Sequence, residues 1–376
     1  WRAMSRDWKA VFEADLPQML TDLEAMVRLE SPSDDAGRVS QLAAWVRDRL
    51  RERGVSAELR PCPPRGEAVL ASMGARDRGT LLLGHLDTVW PAGALATFPF
   101  RIEGDRASGP GVFDMKAGIA VALAALAGLV KEPRPPAVTL LLVPDEEVGT
   151  AASRELLMSV AKRHRRVLVL EPSLDGAAKI ARKGTGVFHV SFTGKAAHAG
   201  LEPEKGASAL MELALFVIFV ETLLDPEKQT SVAATMAQAG SAANVVPEKA
   251  TLTVDARVWS REEAARIEEA IRSYRSVDPR VFVSTEGGFD RPPMEPTPTS
   301  QALYEKARAA AARLGFDLDA ARVGGASDGN LTAAAGVTTL DGLGPTGGGA
   351  HARREYVAVS DLPRRAALLA ALLAEG

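Results

Sequence analysis

His85 and Asp87 stand two residues apart at the end of a short apolar run, Leu81-Leu82-Leu83-Gly84. Residues two apart on a strand share a face, so a strand carried through this tip presents an imidazole and a carboxylate together. Such a pair suits a divalent metal: one ring nitrogen ligates, and the acid orients the ring through the other. More groups of this kind stand where further strands should end. They are Asp114 in Gly-Val-Phe-Asp-Met-Lys, Glu146 and Glu147 in Pro-Asp-Glu-Glu-Val-Gly, Glu171, and His351 in a glycine-rich loop. A two-metal site takes about two ligands private to each ion plus one bridging carboxylate. Two histidines, one aspartate and two glutamates meet that count. Nitrogen and oxygen donors suit zinc, and Co2+ or Mn2+ also fit. Adjacent Glu146 and Glu147 should point in different directions, so one can ligate while the other stays free as a base.

The elements that must position these groups follow from periodicity. Amphipathic patterning predicts helices over 7–29 and 36–53, the second closed by Gly54. Strands are expected over 55–59, 68–73, up to His85, 138–143 and 167–170, with a small-residue helix over 116–131. Strands alternating with helices and ending in polar clusters predict an α/β sheet with ligands at the strand tips. Beyond Gly184 the rhythm changes to strand 187–192, helix 207–224, strands 231–237 and 249–258, helix 262–274 and strand 281–285. That βαββαβ order is the split-βαβ, ferredoxin-like pattern. Alternation resumes after Pro292 with helices over 301–314 and 362–374. The expected organisation is therefore a discontinuous first domain, 1–184 and 292–376, interrupted by an inserted α+β domain, 185–291.

Composition narrows the function. At 376 residues the chain exceeds one ordinary core. A net charge of −3 and a pI near 6.1 offer no attraction to nucleic acid or an anionic membrane. The single cysteine, Cys62, rules out an intrachain disulfide and a cysteine-based zinc site. The stretch 207–224 is taken as the most apolar helix, but Glu212 and Glu221 bracket its apolar run and leave it too short to span a bilayer. Trp1 to Glu13 lacks the apolar region of a secretory signal. Cytoplasmic location is the expectation, with periplasmic export the alternative if an upstream signal has been removed. Neither the loop 324–329 nor the loop 342–349 has the spacing and lysine of a phosphate-binding loop. Both are expected to let backbone approach the substrate and to place His351.

Gly84-His85-Leu86-Asp87-Thr88-Val89, Gly109-Pro110-Gly111-Val112-Phe113-Asp114-Met115-Lys116, Asp145-Glu146-Glu147-Val148-Gly149 and Gly194-Lys195-Ala196-Ala197-His198-Ala199-Gly200 together resemble the M20 metallopeptidase family. Within it the chain is most similar to the glutamate carboxypeptidases. The resemblance implies a zinc-exopeptidase-like domain with a mixed sheet and two zinc ions, and an inserted lid and dimerisation domain through which a homodimer forms. It makes Asp114 the bridging ligand, with His85 and Glu171 completing one metal and Glu147 and His351 the other. Glu146 becomes the general base and acid, Asp87 the partner of His85, and Asp114-Met115 a cis peptide. His198 would reach the centre from the small domain, in its own subunit or its partner's. The sequence departs from the commoner family form at Ala350-His351-Ala352-Arg353, where a small polar or acidic pair usually follows the histidine.

An enzyme releasing a terminal amino acid needs a cation for the free carboxylate, and arginine fits it best. The resemblance assigns that task to Arg291, assisted by Asn244, with Lys179 near the substrate. The implied activity is hydrolysis of an amide to release a C-terminal amino acid, plausibly glutamate, from a peptide or small molecule with a free carboxylate. An N-acyl-amino-acid deacylase with the same centre is the alternative, and a non-catalytic metal-bound scaffold is a third reading.

Overall fold

A computed structural model describes residues 6–74 and 78–375. Residues 1–5, part of the opening stretch read for a signal, lie outside the described residues. The chain divides into two compact units: Trp1–Ile180 with Pro296–Arg322 and Ser327–Gly376, and Ala181–Glu295 with Val323–Ala326.

The larger unit is built on a six-stranded mixed sheet. Its order is Ser56–Pro61, Glu67–Met73, Val138–Val143, Thr80–His85, Arg166–Val169 and Thr338–Leu340. The last four run parallel to one another, and Glu67–Met73 runs antiparallel to both of its neighbours. Thr80–His85 is buried throughout, as a central parallel strand covered on both faces must be. This explains its unbroken run of leucines.

Helices Trp8–Arg28, Ala36–Glu52, Ala117–Leu129 and Asp361–Ala374 close one core, with Asp7 and Asp35 capping the first two. Ala117–Leu129 is composed only of Ala, Gly, Ile, Val and Leu, and almost all of it is buried. Among the described residues, the one helical stretch long and apolar enough to cross a bilayer is Val112–Leu129, and 89% of it is buried within the protein. The 207–224 stretch, expected to be the most apolar helix, does not reach that length: its helix spans only Ala209–Glu221.

The smaller unit runs strand Gly184–Thr193, helix Ala209–Glu221, strands Ser231–Ala239 and Lys249–Val258, helix Arg261–Ser273 and strand Phe282–Arg291. Spatially the strands lie in the order second, third, first, fourth, all antiparallel. This is the ferredoxin-like arrangement. Alternate residues Phe188, Val190 and Phe192 meet Phe216, Ile267 and Ile271 in a core of its own.

Candidate metal centre

The strand Thr80–His85 ends on His85, whose side chain is buried at the sheet's rim. Its Nδ1–H donates to the carbonyl oxygen of Asp87 at 2.9 Å, which fixes Nδ1 as a donor and turns Nε2 inward. Asp87 lies beyond the strand, so strand alternation does not deliver it. Its carboxylate approaches Nδ1 only to 3.4 Å and is occupied elsewhere. One oxygen accepts from the Glu146 backbone N–H at 3.1 Å, the other from that of Glu147 at 3.2 Å and from the Ser33 hydroxyl at 2.7 Å. Asp87 therefore anchors the acidic pair as well as the histidine.

Asp114 sits in Val112–Lys116, a single wide turn that its own non-helical backbone interrupts. The Asp114-Met115 peptide is cis, as the resemblance implies. Its two carboxylate oxygens diverge: Oδ1 lies 3.2 Å from Nε2 of His85, and Oδ2 lies 3.3 Å from Nε2 of His351. Glu171 Oε1 is 3.5 Å from the same His85 nitrogen, and Glu147 Oε2 is 3.3 Å from the His351 nitrogen. Glu146 is buried, and one oxygen each of Glu146 and Glu171 with a His85 nitrogen lie within 4.8 Å of one another.

Each of these side chains has a local reason for its place. Glu171 follows the Arg166–Val169 strand, and close backbone approach holds it on two sides. A Cβ on Gly118 would stand 2.2 Å from the Leu170 carbonyl oxygen, and one on Gly344 would stand 2.7 Å from that of Glu171. Glu146 and Glu147 open the one-turn helix Glu146–Val148, which follows the strand Val138–Val143 and ends at Gly149. His351 lies in a hairpin loop between the antiparallel strands Gly347–Gly348 and Tyr356–Ala358. Its φ of +62° is a left-handed conformation that a non-glycine residue holds only when its surroundings impose it.

The electrostatics are those of a cation site. Burial favours the neutral form of His85, but hydrogen bonds to Asp114, Asp87 and Glu171 overcome it and raise its pKa well above 6.5. The His351 pKa is pushed up to about 10 by hydrogen bonding to Asp114 and then Glu147. Burial pushes Asp114 upward, yet the two imidazoles outweigh it and hold its carboxyl below the usual range. Glu147 is raised by burial, partly offset by His351. Its Oε1 is buried with no hydrogen-bond partner among the described residues, an expensive arrangement for a carboxylate unless a cation faces it. An orphaned carboxylate oxygen, two imidazole nitrogens aimed at carboxylates and an Asp114 shared between them all fit a pair of divalent ions.

The other predicted site residues are found as follows. Lys179 is half-buried in the larger unit, its backbone paired with Asp341. His198 is exposed in the smaller unit, and its Nδ1 accepts from the backbone N–H groups of Gly200 and Leu201, each at 3.1 Å. The ring is thereby assigned as the neutral tautomer with its proton on Nε2. Asn244 lies beside it, its carbonyl accepting from the Ala199 N–H at 2.9 Å. Arg291 is half-buried at the end of the strand Phe282–Arg291.

Two residues that the sequence reading did not single out complete the larger unit's centre. Ser33 donates to Asp87, and Glu355 accepts four hydrogen bonds around the Asp114 turn. Ser33 has no sequence signal beyond a helix break. Glu355 is signalled only by lying four residues past His351.

Comparison with known proteins agrees with this geometry. Residues 81–375 match the family model for peptidase family M20/M25/M40. Carboxypeptidase G2 from Pseudomonas sp. (strain RS-16) is 32% identical over 99% of this chain and 92% of its own length. In fold the chain is similar to the aminopeptidase PepT of Bacillus cereus, with a TM-score of 0.78 at 20% identity, covering 96% of this chain and 98% of that one. It is also similar to the YXEP protein of Bacillus subtilis, described as a dinuclear metal binding peptidase, with a TM-score of 0.70 at 16% identity and the same coverage. Family match and near full-length identity place this chain in peptidase family M20, as a metallopeptidase-type hydrolase.

Proposed function

We propose that this hydrolase holds two zinc ions and cleaves an amide bond to release a C-terminal amino acid, glutamate being the first candidate. One observation carries the reading: the two oxygens of Asp114 divide between His85 at 3.2 Å and His351 at 3.3 Å. Glu171 stands with the first histidine and Glu147 with the second. The ions supply Lewis acidity and a water of lowered pKa.

The protein's own groups do the rest. Glu146, held by its backbone to Asp87, takes the water's proton and returns it to the leaving amine. His198 offers its Nε2–H to the carbonyl oxygen as negative charge develops there, a role for which the neutral tautomer suits it. In this reading Arg291, assisted by Asn244, recognises the substrate's free carboxylate, and Lys179 serves near the substrate. The full-length likeness to carboxypeptidase G2 supports the exopeptidase reading over other amide hydrolases.

The test pairs metal analysis of protein purified without chelator with hydrolysis of acyl-glutamates, peptides and other N-acyl amino acids. Two equivalents of zinc with release of the C-terminal residue is the expected result. Two zincs with cleavage confined to other N-acyl amino acids would mean a deacylase, and bound metal without hydrolysis would mean a scaffold. Glu146→Gln should lower kcat by about 10²- to 10⁴-fold while metal content is retained.

A further inference from the structure

Glu355 is buried completely, and its carboxylate is met by neutral donors. Oε1 accepts from the backbone N–H groups of Phe113 at 2.9 Å and Asp114 at 3.1 Å. Oε2 accepts from the Gly111 N–H at 3.1 Å and from the indole N–H of Trp90 at 2.6 Å. A buried carboxylate is tolerable only when its lone pairs are satisfied in this way. Three of the four donors belong to the turn that carries Asp114. Glu355 itself closes the loop that carries His351, its own N–H donating to the Ala352 carbonyl at 2.8 Å. One side chain therefore ties together the two segments whose side chains meet at Asp114 Oδ2 and His351 Nε2.

We propose that Glu355 is a positioning residue for the metal centre. It sets the separation of Asp114 and His351 and so governs affinity for the ion that Asp114, Glu147 and His351 would hold. The proposal rests on the dinuclear reading of the site. On the His85 side two of the three groups are placed independently of Glu355, leaving only Asp114 in common: His85 ends a central strand, and Glu171 is held by the approach of Gly118 and Gly344. Loss of Glu355 should therefore weaken one ion far more than the other. Glutamine cannot replace it, because its amide NH2 would point at two of the four N–H donors.

The experiment is a chelator-competition titration with Zn2+ on wild type, Glu355→Gln and Trp90→Phe, accompanied by circular dichroism and melting of each metal-free protein. Glu355→Gln is expected to weaken one of two dissociation constants by about 10- to 100-fold and to leave the other within a factor of about three. Excess zinc should restore turnover. Trp90→Phe, which keeps the carboxylate and removes one donor, should weaken the same constant by a smaller factor. If both constants are unchanged in Glu355→Gln and only the melting temperature falls, the residue is a structural support and the proposal is overturned. If that variant does not fold, Trp90→Phe decides, and unchanged constants there overturn it. Wild type that takes up no zinc would overturn the dinuclear reading itself.

Discussion

His85 and His351 play matching parts from unlike positions, one sealed at the end of a central strand and the other half-exposed in a hairpin loop. Both imidazoles are biased toward the protonated form by the carboxylates around Asp114. A metal ion entering the site must displace those protons, so apparent affinity should rise with pH and fall as the histidines gain protons. Calorimetry of zinc binding between pH 6 and 8, in buffers of differing ionisation enthalpy, should show release of one to two protons. A pH-independent affinity would contradict the assignment of both histidines. Asp87→Ala should loosen metal by about 10- to 100-fold, because it frees Glu146 and Glu147 as well as His85. Chelator titration measures this directly. The five candidate ligands could be picked out because each sits beside an apolar run or a glycine loop, so local spacing reports them. Glu355 could not, since its partner Gly111 is 244 residues away and only the folded chain brings them together. Asp87 was legible as a partner of His85, but its hold on the acidic pair depends on a turn that no pattern announces.

At the scale of elements, the strands Val138–Val143 and Lys249–Val258 fall where alternation and apolar runs place them, because burial dictates their side chains. The last strand of the smaller unit is longer than its pattern suggests, reaching Arg291 rather than stopping at Thr285. Gly287 and Gly288 interrupt the alternation there, and a register shift follows. The pairs Arg101–Glu103 with Arg106–Ser108 and Gly347–Gly348 with Tyr356–Ala358 escape periodicity because two or three residues have no period to show. Helix Arg261–Ser273 is fastened by Glu263, which accepts from Lys228 at 2.7 Å, Thr230 at 2.9 Å and its neighbour Arg266. Hydrogen bonding to Arg266, joined by Lys228 and Thr230, holds the Glu263 pKa at about 2 against 4.5. A folded-state pKa depressed in this way adds stability above the unfolded value, and that stability is lost as pH falls from 4.5 through about 2. Glu263→Gln should therefore cost about 2 kcal/mol at pH 7, with the difference from wild type shrinking below pH 4.5 and closing near 2. Urea denaturation of both proteins at pH 7, 4 and 3 checks the sign.

For the molecule as a whole, helix Ala209–Glu221 leaves Met211 62% and Ile218 65% exposed, with Leu210 nearby at 46%. Exposed apolar residues on one helix can contribute to a surface that a partner covers. If the homodimer expected from the sequence forms, a second copy of the chain would cover this face. Light scattering should give twice the 39.7 kDa chain mass, and Ile218→Glu should shift the protein toward the single mass while leaving the metal centre loaded. A monomer in both cases would remove this expectation. The insert expected over 185–291 corresponds to a smaller unit of Ala181–Glu295 with Val323–Ala326. Periodicity cannot see the last four residues, because they join the unit through space rather than through chain order. The discontinuity also bears on synthesis. All six elements of the smaller unit leave the ribosome consecutively and can pair with near neighbours, whereas the larger unit must wait for Thr338–Leu340 to complete its sheet. His351 and Glu355 emerge later still. Asp114 can thus meet His85 and Glu171 before His351 is made, and only its second carboxylate oxygen must wait for the hairpin loop to supply a partner.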